Sequence, residues 1–268
     1  MKGKIIVAGG TGSLGRLLTA AFKGAGYHVL VLSRSAGAGR VVWDGKTVGD
    51  WATELEGAIA VVNLSGQSVV KRWTPASTKA MRDARVLSTI AIADAIKACK
   101  TPPRVWINAS AAGYYGDTGD REVTEASKPG NGFLAELCVE WERACLQAYT
   151  PETRKVCLRI GVVLGPGAEF IKKVGILVRI GLGSALGNGR QYVSWIHGHD
   201  LAQMALWCLQ EPVSGPLNAV APQPVTNACL MAEMRAALSR PPVPPVPAPL
   251  VRLAVGLAGM EPTLLLTG

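Results

Sequence analysis

The stretch Lys4-Ile-Ile-Val-Ala-Gly-Gly-Thr-Gly-Ser-Leu-Gly15 decides the fold. Ile5 to Ala8 form a continuous apolar run behind Lys4, the pattern of a strand buried on both faces. Glycines then recur at positions 9, 12 and 15. Where a strand turns into a helix, this spacing supplies one glycine for the tight bend. It supplies a second for close backbone approach to a pyrophosphate, and a third for packing helix on strand. The helix start directs free N–H groups and partial positive charge at the phosphates. Gly9, Gly10, Thr11, Gly12, Ser13, Leu14 and Gly15 are therefore the candidate dinucleotide turn. A purely structural turn would use the same glycines, but the strand–turn–helix setting favours the cofactor.

Outward from the turn, Leu14, Leu17, Leu18, Ala21 and Phe22 recur at helical spacing, and Gly24 and Gly26 stop the helix. His28 to Leu32 reads as a second strand, so the unit predicts a parallel pair with a right-handed crossover. Strands follow over residues 41–43, 58–64, 104–109 and 155–164, with helices over 75–98 and 133–149. This alternation predicts an α/β fold, a Rossmann-type doubly wound parallel sheet. After Gly165-Pro166 the character changes. Glycines crowd residues 181–189, residues 217–220 read as a strand, and Thr226 suits a cap for a helix running to Leu238. The proline-rich stretch 241–249 excludes a regular helix. The expected division is residues 1–165 as the dinucleotide-binding domain and 166–268 as a smaller C-terminal lobe.

The second strand ends in Ser33-Arg34, and no Asp or Glu lies between Gly15 and Trp43. An acidic residue there would bond a ribose 2′-hydroxyl, whereas an arginine accommodates a 2′-phosphate. The expected cofactor is NADP(H), with Arg34 as the phosphate clamp; the plainer alternative is a solvated loop arginine.

Composition limits the rest. Hydrophobic residues make up 49% of the 268 and charged residues 18%, which suits a large buried core and not disorder. The net charge of +9 is spread along the chain without a dense basic run. It favours small phosphate-bearing ligands over nucleic acid. The six cysteines have no CxxC spacing and the three histidines are too few for a metal cluster. No signal peptide or membrane-length apolar run is visible, so a reduced cytoplasmic protein is expected. Its expected partners are an unidentified small-molecule substrate and, in assembly, a second copy of the chain.

Several strings together resemble the atypical branch of the extended short-chain dehydrogenase/reductase superfamily, the NAD-dependent epimerase/dehydratase-like proteins. They are GGTGSLG at 9–15, SR at 33–34, NLSG at 63–66, RW at 72–73, ASAAGYYGD at 109–117 and GFLAELCVEWE at 132–142. RIGVVLGPG at 159–167, GLGSALGNGRQYVSWIH at 181–197 and LNAVAPQPVTNA at 217–228 continue the series. The resemblance implies cofactor contacts at the glycine turn, Ser33, Arg34, Leu64, Ser65, Gly66, Arg85 and Val163. It also implies a small C-terminal domain of unknown function. Two departures stand out. Gln67 replaces an acidic residue frequent in the family. Family chains also continue beyond Leu265-Leu-Thr-Gly268, so the C-terminal lobe is expected to be incomplete.

Ordinary superfamily members use Tyr-x-x-x-Lys, in which the tyrosine moves a proton and the lysine lowers its pKa. Four residues after Tyr27, Tyr114, Tyr115, Tyr149 and Tyr192 stand Val31, Thr118, Gly119, Thr153 and Ile196. The pair is absent, and Leu134 and Cys138 occupy its expected place. Ser110 fits the superfamily's carbonyl-orienting hydroxyl, or else a capping serine. Tyr114 and Tyr115 are candidates for the phenol, or for aromatic packing over the cofactor. Cys138 reads as a small buried hydrophobe, His197 as a structural histidine, Asp200 as a helix cap, and Arg190 as a loop anion contact. Two functions stay open: an NADP(H)-dependent oxidoreductase or epimerase-like enzyme on a small polar substrate, and a catalytically impaired NADPH-binding regulator or sensor.

Overall fold

The computed structural model describes residues 2–257. Strand β1 (Lys4–Ala8), helix α1 (Ser13–Gly24) and strand β2 (His28–Ser33) form the opening unit. Next come β3 (Arg40–Val42), a 3-10 turn (Asp50–Leu55), β4 (Ala60–Asn63), α2 (Pro75–Ala98) and β5 (Val105–Ala111). A second 3-10 turn (Ala112–Tyr115) leads to α3 (Phe133–Leu146), β6 (Arg154–Ile160), β7 (Val162–Leu164) and α4 (Glu169–Arg179). The chain continues through β8 (Tyr192–Val193), β9 (Trp195–His197), α5 (Gly198–Gln210), β10 (Gly215–Ala219), β11 (Val225–Thr226), α6 (Asn227–Ala237) and α7 (Ala248–Leu257).

Seven strands form one sheet in the order β10-β6-β5-β4-β1-β2-β3, with every pairing parallel. This is the doubly wound order, and it reverses between β1 and β4. Alternation along β1 sends Ile5 and Val7 to one face, with Leu18, Phe22, Leu201 and Ala205. Ile6 and Ala8 go to the other face, with Trp51, Leu55, Ile92, Ile96 and Trp106. Both faces are covered, so each strand reads as an unbroken apolar run.

The single strand expected over residues 155–164 is two. Gly161 breaks it, because a Cβ there would lie 2.7 Å from the Ser194 carbonyl oxygen. Strand β7 leaves the sheet and pairs with β9. The helix expected to follow Asp200 as its cap starts at Gly198 instead. His197 is its cap, accepting the His199 N–H at Nδ1, and Asp200 lies in the first turn. Thr226 caps α6 by accepting the Cys229 N–H.

A boundary at 165/166 follows chain order, whereas in space the chain returns. Strand β10 pairs with β6, and α5 packs its Leu201, Ala202, Ala205 and Cys208 into the core beneath the sheet. Outside the seven-stranded sheet lie the strand pairs β7–β9 and β8–β11, with α4, α6, α7 and the glycine-rich loop. The expected shortening of the C-terminal lobe falls on residues 258–268, which lie outside the described residues. No helix among the described residues is long and apolar enough to cross a membrane.

Candidate functional site

Because β1, β2, β4, β5 and β6 are parallel, their C-terminal ends share one edge, where ligands bind in open sheets. The glycine turn sits at the end of β1. Gly9 has φ +75°, and a Cβ on it would lie 2.9 Å from the Leu64 carbonyl. Leu64 and Ser65 therefore lie against the turn, just past the end of neighbouring β4, while Gly66 lies against the Arg85 guanidinium, 3.3 Å from a Cβ placed on it. A Cβ on Gly15 would lie 2.3 Å from the Gly9 carbonyl oxygen, so α1 packs directly on the bend. Gly12 differs. It is the cap of α1, with φ −69° and ψ 173°, and a Cβ on it would meet only the Gly9 oxygen, at 3.4 Å. The protein itself fills the space beside Gly9 and Gly15 and leaves that above Gly12. No acidic side chain occupies the first turn of α1.

Ser33 ends β2 on the same edge and accepts the Ser35 N–H at 3.2 Å. Arg34 is exposed and makes no ion pair among the described residues. Beneath the β4 loop, Asn63 is fully buried and donates to Thr89 Oγ1 at 3.1 Å and Asn108 Oδ1 at 2.9 Å. Its own oxygen accepts the Ser65 N–H, which fixes the loop. Arg85 on α2 donates to the Gln67 and Met81 carbonyls at 2.9 and 3.0 Å and lies over the Trp141 ring. Burial pushes its pKa below the ordinary arginine value. Arg85 thus anchors the loop that carries Gly66 and Gln67. Val163 lies on β7, paired with Ile196.

The residues proposed for chemistry gather at the ends of β5, β6 and β10, where Ser110, Arg159 and Asn218 stand in register. Ser110, 3% exposed, donates to Glu142 Oε1 at 2.6 Å. Glu142 projects from α3 and forms a fork with Arg159: Nε to Oε1 and Nη2 to Oε2, both 2.8 Å. The side chains are 6% and 3% exposed. Arg159 also donates to the Tyr115 hydroxyl at 2.8 Å and the Glu125 carbonyl at 3.2 Å. The Tyr115 hydroxyl in turn donates to Asn218 Oδ1 at 2.6 Å. The Arg159 guanidinium lies 3.5 Å from the centre of the Tyr114 ring. Burial disfavours the Arg159 charge, but the bonds to Glu142 and Tyr115 outweigh it and raise its pKa above the ordinary value.

Leu134 lies beside this turn, 3.9 Å from a Cβ placed on Gly113. Cys138 is buried, and burial together with the Glu142 charge pushes its thiol up to about 11. A thiol held protonated is a poor nucleophile. Cys138 is expected to resist alkylation at neutral pH while exposed Cys229 reacts; mass spectrometry after iodoacetamide checks this. His197 is exposed at the edge, with its Nε2 3.0 Å from a Cβ placed on Gly165. Arg190 is exposed on the glycine-rich loop, its backbone N–H bonded to Asn188 Oδ1.

Glu142, Arg159, Asn63 and Asn218 carry this edge yet were not singled out from sequence. A signal existed. Ala135, Cys138, Glu142 and Cys145 share one buried stripe of α3, so a carboxylate occupies an apolar position. Arg159 likewise interrupts an apolar strand. One buried charge of each sign implies a pair.

A sequence model of the NAD dependent epimerase/dehydratase family matches residues 5–220. The chain belongs to that family. An epimerase family protein of Mycobacterium tuberculosis is 38% identical over 256 residues, covering 94% of this chain and 84% of that relative. The crystal structure of human epimerase family protein SDR39U1 (isoform 2) with NADPH superposes with a TM-score of 0.89. It is 33% identical and covers 99% of this chain and 89% of that one. A nucleoside-diphosphate sugar epimerase of Corynebacterium glutamicum gives a TM-score of 0.78 at 31% identity, covering 96% of this family member and 57% of that chain.

Proposed function

We propose that this family member binds NADP(H) at the glycine turn, at Ser33-Arg34 and at the Leu64–Gly66 loop, with Val163 lining the site. In this reading it is an oxidoreductase or epimerase-like enzyme acting on a small polar substrate. The space above Gly12 carries the reading: it lies at the start of α1, where unpaired N–H groups and the helix dipole receive a pyrophosphate. The unpaired guanidinium of Arg34, with no acidic residue nearby in sequence, suits a 2′-phosphate. The human relative crystallised with NADPH supports the same choice. When bound, the cofactor supplies hydride chemistry at its nicotinamide. The chain's part is to hold it, keep Arg85 anchoring the β4 loop, and deliver protons from the β5–β6 edge. The segments outside the large sheet form the substrate lobe. Six free cysteines suit a reducing compartment such as the cytoplasm.

Calorimetry with NADPH and NADH tests the cofactor. Arg34→Ala is expected to weaken NADPH about 10- to 100-fold, the value of a charge-assisted contact, and to leave NADH unchanged. Equal losses for both would remove Arg34 from the phosphate, and no heat with NADPH for the folded parent would overturn the reading. A second reading, an NADPH-binding sensor, draws on Leu134 and Cys138 in place of the tyrosine–lysine pair. NADPH consumption against a panel of carbonyl compounds and nucleotide sugars separates the two.

A further inference from the structure

We infer that Tyr114, with Arg159 stacked against its ring, does the proton work that Tyr-x-x-x-Lys does in ordinary members of the superfamily. The inference rests on the NADP(H)-enzyme reading above.

Three hydroxyls stand at the end of β5, those of Ser110, Tyr114 and Tyr115, and two are engaged. The Ser110 hydroxyl donates a hydrogen bond to Glu142, and the Tyr115 hydroxyl donates one to Asn218 while accepting one from Arg159. The Tyr114 hydroxyl has no hydrogen-bond partner among the described residues, and its side chain is half-buried. Tyr114 sits on the 3-10 turn directly beyond β5, next in the chain to Gly113, where an added Cβ would lie 3.9 Å from Leu134 in the first turn of α3. That is the neighbourhood the missing pair would occupy.

Arg159 supplies the cation. At 3.5 Å from the ring centre it offsets negative charge that develops on the Tyr114 oxygen as the proton leaves. Its orientation is fixed from every side. Glu142 grips Nε and Nη2, and Nη1 reaches Tyr115 and the Glu125 carbonyl. Only the guanidinium face remains, and Tyr114 covers it. A buried ion pair is weak evidence of stability, and perturbed buried charges gather at functional sites. Ser110, Glu142 and Tyr115 are thus positioning residues for Arg159.

The step balances. With NADPH bound, the cofactor would supply a hydride, with its electron pair, to a substrate carbonyl and become NADP+. The C=O π pair moves onto oxygen, which accepts the proton from Tyr114 Oη. The resulting phenolate sits beside Arg159 until water returns a proton.

Two readouts test this. In a crystal structure of the protein with NADP+, Tyr114 Oη is expected within about 6 Å of nicotinamide C4, room for one carbonyl between them. An Oη beyond about 10 Å, or screened from C4 by other side chains, overturns the inference without any activity measurement. In the panel assay, Tyr114→Phe is expected to lose about 100-fold or more in kcat, while its NADPH Kd by calorimetry stays at the parent value. Tyr115→Phe is expected to retain more activity. Parent-like kcat in Tyr114→Phe overturns the inference and spares the enzyme reading. A parent protein that binds NADPH yet consumes none with any panel member overturns the enzyme reading and the inference with it.

Discussion

Gly12→Val is expected to fold as the parent does and to bind NADPH about 100-fold or more weakly. The two halves of this result have separate causes. At φ −69° and ψ 173° any residue can occupy position 12, and a Cβ there meets only one atom, at 3.4 Å. The fold therefore does not require this glycine, and the change of cap costs about 1 kcal/mol or less. A bound pyrophosphate does require it. Two isopropyl carbons above the helix start push the phosphates off the backbone N–H groups. Losing two charge-assisted bonds of about 1.5 kcal/mol or more each corresponds to that drop in affinity. Gly15→Val is the contrast. Its Cβ would overlap the Gly9 oxygen at 2.3 Å, so α1 cannot dock and folding itself suffers. Thermal denaturation and calorimetry on both variants distinguish the cases. Normal NADPH affinity in Gly12→Val would remove the phosphates from this turn.

The same contrast explains how much of the molecule was readable beforehand. Position 12 was legible because three glycines at fixed spacing between a strand and a helix answer a geometric demand that few other residues meet. Helix α2 was equally plain: the helix read over 75–98 is the one found, opened by Pro75, and the structure adds a reciprocal cap between Thr74 and Ser77. Local rules determine these features, and local rules can be read from a string of letters.

What stayed hidden depends on distant contacts. The break at Gly161 exists because the Ser194 carbonyl approaches from 33 residues away, and nothing near Gly161 announces it. Residues 217–220 read as an isolated strand in a separate lobe; the strand found is β10, Gly215–Ala219. Their place beside β6 follows from a crossover through β9 and α5. At the candidate site Ser110 was legible as a hydroxyl at a strand end, but its partner lies on the next helix. Register then decides the outcome. Ser110 stands opposite Arg159 and points to the face that α3 covers, so its hydroxyl donates its hydrogen bond to Glu142.

Glu142→Leu is expected to cost about 3–5 kcal/mol, which for a chain of this size is a Tm drop on the order of 10 °C. The loss comes from what remains behind. Arg159 would keep its charge at 3% exposure, with Nε and Nη2 unpaired, and the Ser110 hydroxyl would lose its acceptor. Adding Arg159→Met removes the stranded charge and fills the space with an apolar chain of similar length. The double variant is therefore expected to regain most of the lost stability, since a well-packed apolar pair rivals a buried ion pair. It is not expected to regain turnover, because Tyr114 then has no cation against its ring. Denaturation curves and NADPH consumption on the single and double variants test both halves. If the two substitutions simply add in their stability effects, Glu142 and Arg159 are not coupled. A double variant that turns over like the parent would show that the pair serves the fold and not the chemistry.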